Sequence, residues 1–360
     1  MSYKIKTSCL KFSTIAVFML FFQISFAQST KIPKEVGINR FEDLDAIVQQ
    51  NQKALGNNVV AMIWTDTLIY KRELGDFDSK TPVPIADASK WLTTALVMMF
   101  VDEGKISLDD KVSKYIPDFE LYAKNYITIR HCLSHYTGIK ESGSKGLFGK
   151  KKFETLKQEA EAFARTEIHA NAGEQFRYSN IGPIIVGAVL EIVSKKKFDM
   201  LIKQRLFNPL GMRKTSFTSL DGSISDPSDG AQSSADDYLL FLQMLLNNGK
   251  YQGIQVLSEA SVTEMRKMET TQEAMKYSPK TAQGFSYALG SWIVEEGKDN
   301  VANVLSSPSL YGTWPMVDWC RRYAYIIVTK TLLKDEQKSD NYMRMKDAID
   351  EKIHPKCGNL

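Results

Sequence analysis

Asp87 and Lys90 stand three residues apart at the entrance to an apolar run that extends from Ala88 to Val101. One helical turn brings positions i and i+3 onto the same face, so a helix here would set an ammonium beside a carboxylate. A carboxylate is ionised at neutral pH, and pairing with it would hold Lys90 protonated and unable to act as a base. Further along, Tyr178-Ser179-Asn180 leads directly into a second apolar stretch, Ile181–Val193. A phenol titrates near ~10 and is a poor base at neutral pH unless a cation depresses that value; Lys90 is the expected cation. Without further context, Tyr178 reads as an aromatic at the core's edge and Asn180 as a helix cap. His131 and His135 have the i, i+4 spacing of a zinc site, but no Glu lies between them as in His-Glu-x-x-His, and no metal is expected. The Met- and aromatic-rich Trp91–Phe100 reads as core packing.

The elements that must position these residues follow from periodicity and punctuation. Arg40–Leu55 has helical spacing of Phe41, Leu44, Ile47 and Val48, with acids early, where the helix dipole favours them. Val59–Trp64 and Thr67–Arg72 flank the polar turn Thr65-Asp66 and predict a hairpin. The Ala88–Val101 helix is stopped by Glu103-Gly104. Thr128 caps a short helix expected to end near Gly138, Phe153–Arg165 is amphipathic, and Ile181–Val193, apolar almost all round, should be buried. Ser234-Ala235-Asp236-Asp237 signals a helix through Tyr238–Leu246, with Gly249 past its end. Strand character returns at Tyr287–Glu295 and Tyr323–Thr331, before a final helix over Tyr342–Ile353. The sheet is therefore built from both ends of the chain. The expected fold is α/β, an antiparallel sheet flanked by terminal helices, in two parts (28–105 and 285–360) around a mostly helical insertion (106–284), with a ligand cleft between them. Ser142–Lys152 reads as a solvated basic loop.

Composition narrows the function class. Lys4, Lys6 and Lys11, the apolar Ile15–Phe22 and the small residues ending at Ala27 form a secretory signal-peptide pattern over 1–27, which implies a secreted or periplasmic protein. No later stretch approaches the roughly 20 apolar residues of a spanning helix, so no integral membrane segment is expected after signal removal. Taking those three lysines from the 46 Lys and Arg leaves 43 against 42 acids, a balance with no footprint for nucleic acid. Cys132, Cys320 and Cys357 remain, an odd and widely spaced set that reads as buried or stray thiols and not a disulfide framework.

Pro84-Ile85-Ala86-Asp87-Ala88-Ser89-Lys90-Trp91 resembles the Ser-x-x-Lys element of the β-lactamase-related serine hydrolases: class C β-lactamases, DD-peptidases and related esterases. Asp87 stands where that family's nucleophilic serine should be. Val101–Asp110 is similar to the family's continuation of the nucleophile helix, Ile127–Gly138 to its next signature, which has no metal role, and Asn208-Pro209-Leu210-Gly211-Met212 to a later one. Tyr178-Ser179-Asn180 resembles its Tyr-x-Asn element. The resemblance implies a β-lactamase/penicillin-binding-protein-like fold, no cofactor, and a small-molecule or peptide-like acyl substrate. It further implies that Lys90 and Tyr178 move the nucleophile's proton, and that Asn180 contacts the substrate amide or ester. The family's Lys/His-Thr/Ser-Gly strand has no matching triplet. The candidate region is Val304–Thr313, with Ser307 as the facing residue, and an ordinary polar turn is an equal reading. The missing Lys-Thr-Gly, which β-lactam binders use to hold a carboxylate, favours esters.

Asp87 changes the chemistry at its first step. Attack by a carboxylate on an ester would give a reactive anhydride, although carboxylate nucleophiles do occur in other enzyme classes. Ser89 cannot substitute, because its direction on a helix differs from Asp87 by about 200°. Three functions stay open: an acyl-hydrolase scaffold whose serine hydrolysis is lost or strongly impaired, a non-catalytic binder of a peptidoglycan-like or acyl ligand, and a repurposed enzyme using Asp87 as base or carboxylate nucleophile.

Overall fold

The computed structural model describes Met1 and residues 35–141, 153–217, 224–329 and 336–357. The signal-peptide pattern, apart from Met1, and the Ser142–Lys152 stretch lie outside the described residues. Eight strands form one antiparallel sheet: β1 (Glu35–Val36), β2 (Val59–Trp64), β3 (Leu68–Leu74), β4 (Ser286–Tyr287), β5 (Trp292–Glu295), β6 (Val304–Ser306), β7 (Trp314–Asp318) and β8 (Tyr323–Thr329). Their order is β1-β3-β2-β8-β7-β6-β5-β4, so the first and last parts of the chain meet where β2 pairs with β8.

Both central strands are buried on both faces, and their side chains divide by the two-residue period of a strand. Val59, Ala61 and Ile63 of β2, with Tyr323, Tyr325 and Ile327 of β8, face the terminal helices α1 (Glu42–Gln50) and α6 (Glu336–Asp350), packing with Phe41, Leu44, Tyr342, Met345 and Ile349. Val60 and Met62, with Ala324, Ile326 and Val328, face the opposite core, which is built on α2 (Ser89–Asp102), α3 (Leu156–Arg165), α4 (Ile181–Ser194) and α5 (Ala235–Leu246). Each such fully buried Val or Ile contributes roughly 1.5–3 kcal/mol relative to exposure. A one-residue slip of β2 against β8 would exchange the two faces.

α2 is apolar all round because it runs through that second core: every residue from Ser89 to Phe100 is buried. It stops as the sequence implies, with Gly104 at φ 64°, its N–H bonded to the Val101 carbonyl (2.9 Å) and the Lys105 N–H to that of Phe100 (3.0 Å). α5 begins at Ser234, whose hydroxyl accepts the Asp237 N–H at 3.2 Å.

Several expectations are corrected. The Tyr287–Glu295 run is two strands and not one: the chain reverses over Ala288–Ser291, with the Ala288 N–H bonded to the Ser291 carbonyl (2.9 Å) and Gly290 at φ 74°. A Cβ on Gly290 would lie 2.0 Å from Thr94 Oγ1, so the turn seats directly on α2 and only glycine fits. β6 begins the Val304–Thr313 region offered as the facing strand but has only three residues and ends just before Ser307, whereas β7 was not expected, since Pro315 masks its strand character. The helix capped by Thr128 covers only Ile129–Leu133, and the terminal helix ends at Asp350, with Ile353 buried in the turn beyond. Cys320 and Cys357 are not stray thiols but a disulfide, Cα–Cα 4.9 Å. α6 carries the tail back to the β7–β8 turn, where the Lys356 N–H bonds the Cys320 carbonyl (2.8 Å), a proximity invisible in spacing. Among the described residues Cys132 is the free thiol, buried and pushed up by burial.

Candidate functional site

Asp87 sits in a single 3-10 turn, Ala86–Ala88, that runs directly into α2. Ala86 holds φ 39°, a left-handed conformation that costs a non-glycine residue of order 1–3 kcal/mol and persists only where the surroundings over-determine it. They do so here. Val83–Pro84 pairs with Gln232–Ser233, the Ile85 N–H bonds the Ala231 carbonyl (3.0 Å), and Tyr238 OH donates to the Ala88 carbonyl (2.8 Å). Ser89 points away from the cleft into this scaffold, fully buried and accepting the Ala231 N–H at 3.1 Å.

One turn into α2, Lys90 extends back to Asp87, Nζ to Oδ1 at 3.0 Å. Lys90 is 1 % exposed and the Asp87 side chain 24 %, so the pair is an ion pair with one open side. Tyr178 OH donates to the same Asp87 oxygen at 3.2 Å. Asp87 Oδ2 accepts the Leu310 backbone N–H at 3.2 Å, and the Ser307 hydroxyl donates to the Asp87 carbonyl at 3.3 Å. Asp87, Lys90, Tyr178 and Ser307 therefore converge on one place. Ser307 touches only the backbone there; the N–H aimed at the carboxylate belongs to Leu310, three residues on.

Tyr178 is delivered by the short strand Phe176–Arg177, which pairs with Met275–Tyr277, and is packed among His135, Tyr287 and Trp292. His135 lies 4.5 Å from the Tyr178 ring, centroid to centroid. Its Nδ1 accepts the Ser179 N–H (3.3 Å), so Nε2 carries the proton and donates to Tyr287 OH (3.0 Å). Burial and the Lys90 charge push the His135 pKa well below the ordinary value, which keeps the ring neutral. His131 lies elsewhere: its ring accepts the Thr128 N–H at 3.3 Å and so caps its own helix. The two histidines share no helical face, because the helix ends at Leu133 and His135 is left-handed at φ 60°. No metal-holding group of three or more such side chains occurs among the described residues.

Asn180 does not project freely into the cleft. Its amide donates to Asp229 Oδ2 at 2.7 Å and its carbonyl oxygen accepts from the Ser228 hydroxyl at 2.8 Å. Asp229 in turn places Oδ1 3.7 Å from Lys90 Nζ. Sequence reasoning missed Asp229, Leu310, Tyr287 and the supporting role of His135. Asp229 lies in a polar turn without periodicity, and a backbone N–H has no residue type to mark it.

The electrostatics follow from this crowding. Burial alone would raise the Asp87 carboxyl, but the Lys90 charge, with hydrogen bonds from Lys90, Leu310 and Tyr178, outweighs it and holds the group below its ordinary value. Burial works to lower Lys90, yet Asp87 and Asp229 outweigh it and push the ammonium up to about 12. Burial, then the Asp87 and Asp229 charges, push the Tyr178 phenol well above its ordinary value. That corrects the expectation that Lys90 depresses Tyr178: the ammonium lies over the ring, 4.9 Å from its centroid, and the hydroxyl faces a carboxylate instead. At neutral pH the site holds a protonated lysine, a protonated tyrosine and an ionised carboxylate whose two oxygens both accept hydrogen bonds. Neither Lys90 nor Tyr178 can receive a proton there.

The family model described as Beta-lactamase matches residues 44–349. Protein Rv1367c of Mycobacterium tuberculosis (strain ATCC 25618 / H37Rv) is 26 % identical over 333 residues, an alignment spanning 73 % of this chain and 82 % of that one. Among solved structures, EstCE1, a hydrolase with promiscuous acyltransferase activity, superposes with a TM-score of 0.73 at 21 % identity, over 86 % of this chain and 98 % of that one. The octameric penicillin-binding protein homologue from Pyrococcus abyssi gives 0.68 at 18 %, over 85 % and 76 %. These two likenesses concern the fold.

Proposed function

Because the chain belongs to the Beta-lactamase family, we propose that its cleft is an acyl-hydrolase site, for ester or amide bonds with esters favoured, in which ordinary serine turnover is lost at Asp87. The observation that carries this reading is the 3.0 Å contact between Lys90 Nζ and Asp87 Oδ1. In a serine site an amine one turn away takes the hydroxyl proton. Here the position holds no hydroxyl, and Lys90, pushed up to about 12, has no free lone pair at neutral pH. Attack by Asp87 itself would need a carboxylate stripped of the Lys90, Tyr178 and Leu310 donors that stabilise its charge, and would end in an anhydride. A base role for Asp87 is opposed by the same donors. The cleft's remaining capacity is recognition of an acyl ligand without turnover.

The fold shared with EstCE1, a hydrolase with promiscuous acyltransferase activity, supports acyl chemistry, and the Ser307 region, which lacks a Lys-Thr-Gly cation for a substrate carboxylate, favours esters over β-lactams. Export through the signal pattern of 1–27 is part of the proposal; the Cys320–Cys357 disulfide supports an oxidising compartment.

The test is a paired screen of p-nitrophenyl esters and a chromogenic β-lactam with the native chain and Asp87→Ser. Removing the carboxylate frees Lys90 from its nearest acid and restores a hydroxyl, so kcat/KM on at least one ester should rise on the order of 10³-fold over the native chain. Equal rates for the two proteins would sink the proposal.

A further inference from the structure

On the side of the sheet away from α2, a cavity of about 380 Å³ lies between the β2–β3 turn, the 3-10 turn that precedes α1 and the tail that follows α6. Ile69 and Ile353, which line it, pack with the terminal-helix core, and it shares no residue with the Asp87 cleft. Its other walls are mostly basic. Arg40, Arg321, Lys352, His354 and Lys356 line it, with Asp66 as the one acid among the lining residues.

Two of the basic groups are already committed. Arg321 pairs with Asp318 and Glu295 at 3.1 Å each and with Asp350 at 3.3 Å, and Lys352 lies 3.6 Å from Asp43. Lys352 also follows a helix C-terminus, where a cation is favoured. Neither reason accounts for the other three. Arg40, His354 and Lys356 are exposed and form no ion pair among the described residues, with Asp66 or with any other acid. They do not belong to one charged run: residues 40, 321 and 352–356 are brought together only by the fold. The tail is fixed twice, by the Cys320–Cys357 disulfide and by the Lys356 N–H on the Cys320 carbonyl (2.8 Å). A backbone pinned in this way holds the tail's cations beside Arg40 and Arg321, and their mutual repulsion stands until an anion enters.

We propose that this cavity binds the phosphoryl group of a soluble phosphate monoester, with Arg40 and Lys356 as the charged contacts and His354 as a further polar one. A guanidinium grips two phosphate oxygens at once and an ammonium adds a point charge, which suits a dianion with three terminal oxygens better than a carboxylate with two. The volume falls in the range of small-molecule sites and exceeds what a bare ion needs, so the organic part of the ester has room beside Thr65. None of the large apolar side chains exposed among the described residues lines the cavity, which disfavours a lipid surface as the source of the phosphoryl group. Asp66 opposes the ligand's charge and weakens its binding. The site is independent of the acyl chemistry proposed for the cleft.

Glycerol 3-phosphate is the probe, titrated by calorimetry into the full chain with its disulfide intact, in about 0.15 M NaCl. Glycerol, inorganic phosphate and phosphatidylglycerol vesicles are the comparisons. One ester should bind per chain, at least about threefold more tightly than inorganic phosphate, and neither glycerol nor the vesicles should bind. Arg40→Ala and Lys356→Ala should each weaken the ester about fivefold, the worth of one charge at ~4 Å in water, while Asp66→Asn should tighten it about twofold or more. Lys53→Ala removes an exposed cation past the other end of α1 and should change nothing. All four side chains are exposed, so the variants are expected to fold, and circular dichroism verifies it. Equal affinity for the ester and for inorganic phosphate, or binding seen only at low salt, would mark an adventitious ion only. Binding to the vesicles but not to the ester would place the phosphoryl group on a lipid. Equal losses for Lys53→Ala and Arg40→Ala would mark diffuse surface charge. Each of these outcomes overturns the inference, as does no binding of the ester or an Asp66→Asn variant that binds it no more tightly.

Discussion

At the foot of α1 and in the cleft the chain assembles the same three side-chain types, a carboxylate, a cation and a tyrosine whose hydroxyl donates to that carboxylate, and puts them to opposite ends. In α1, Asp45 accepts from Arg72 Nε (2.6 Å) and Nη2 and from Tyr70 OH (3.2 Å), and Gln49 completes the shell. Asp45 is 4 % exposed. Burial would raise its carboxyl, but the Arg72 fork outweighs that and holds it down. In the cleft, Asp87 meets Lys90 and Tyr178 with its side chain open to solvent on one side. A guanidinium grips both carboxylate oxygens in a rigid plane and stays charged, whereas an ammonium is a point charge whose protonation depends on its neighbours. The first cluster can only dock a helix on a sheet. The second leaves the exposed edge of its carboxylate for something else to meet. What separates structure from chemistry in this molecule is closure of the shell and not the identity of its members.

That contrast can be broken by measurement. Asp45→Ala should be the most damaging change, about 3–5 kcal/mol in urea denaturation, because it strands a buried Arg72 whose other acid, Glu35, is exposed. A loss under 1 kcal/mol would show that the closed cluster does not dock α1. The next effect concerns a third carboxylate, Asp318, completely buried, which burial pushes up to about 6 in spite of the Arg321 N–H and guanidinium. A folded pKa above the unfolded value near 4 means its contribution is fully present below about pH 4 and is lost as pH rises through 6. Native stability should therefore fall by about 2–3 kcal/mol across that window through this group, and the Asp318→Asn profile should lack that fall. Asp45 and Asp87 have the opposite sign: both are held low, so what they contribute is present above about pH 4 and lost as pH falls through their folded values. The smallest effect belongs to the cleft. Asp87→Ala should cost only about 1 kcal/mol, since Lys90 keeps Asp229 at 3.7 Å and the site is open, while the Lys90 pKa drops below about 12, as read by lysine-selective NMR titration. Equal losses for Asp45→Ala and Asp87→Ala would erase the distinction.

The same contrast explains what could be read from the chain. Lys90 was legible because a three-residue step at a helix entrance has only one geometric outcome, and Tyr178 because an unmistakable buried helix follows it. The α/β fold with a helical insertion was legible from apolar periodicity at both ends. The cleft's remaining walls were not. Leu310 acts through its backbone, Asp229 through a turn whose direction is set by Ser228 and Asn180, and Ser307 could not be distinguished from Leu310 within a run of Ser and Pro. Strand β7 hid because a proline-bearing strand carries little pattern. Cys320 and Cys357 meet only because α6 reverses the chain, so no count or spacing could pair them.

The ladder between β2 and β8 has a consequence in time. Val59 lies opposite Thr329, about 270 residues later in the chain. At the usual ~5–20 residues per second of synthesis, the inner edge of β2 waits roughly 14 s to a minute for its partner to exist. Until then neither core can close, because each is roofed by one face of that joined pair. The nascent chain therefore completes neither core until its last sheet strand has been made, a property of strand order alone.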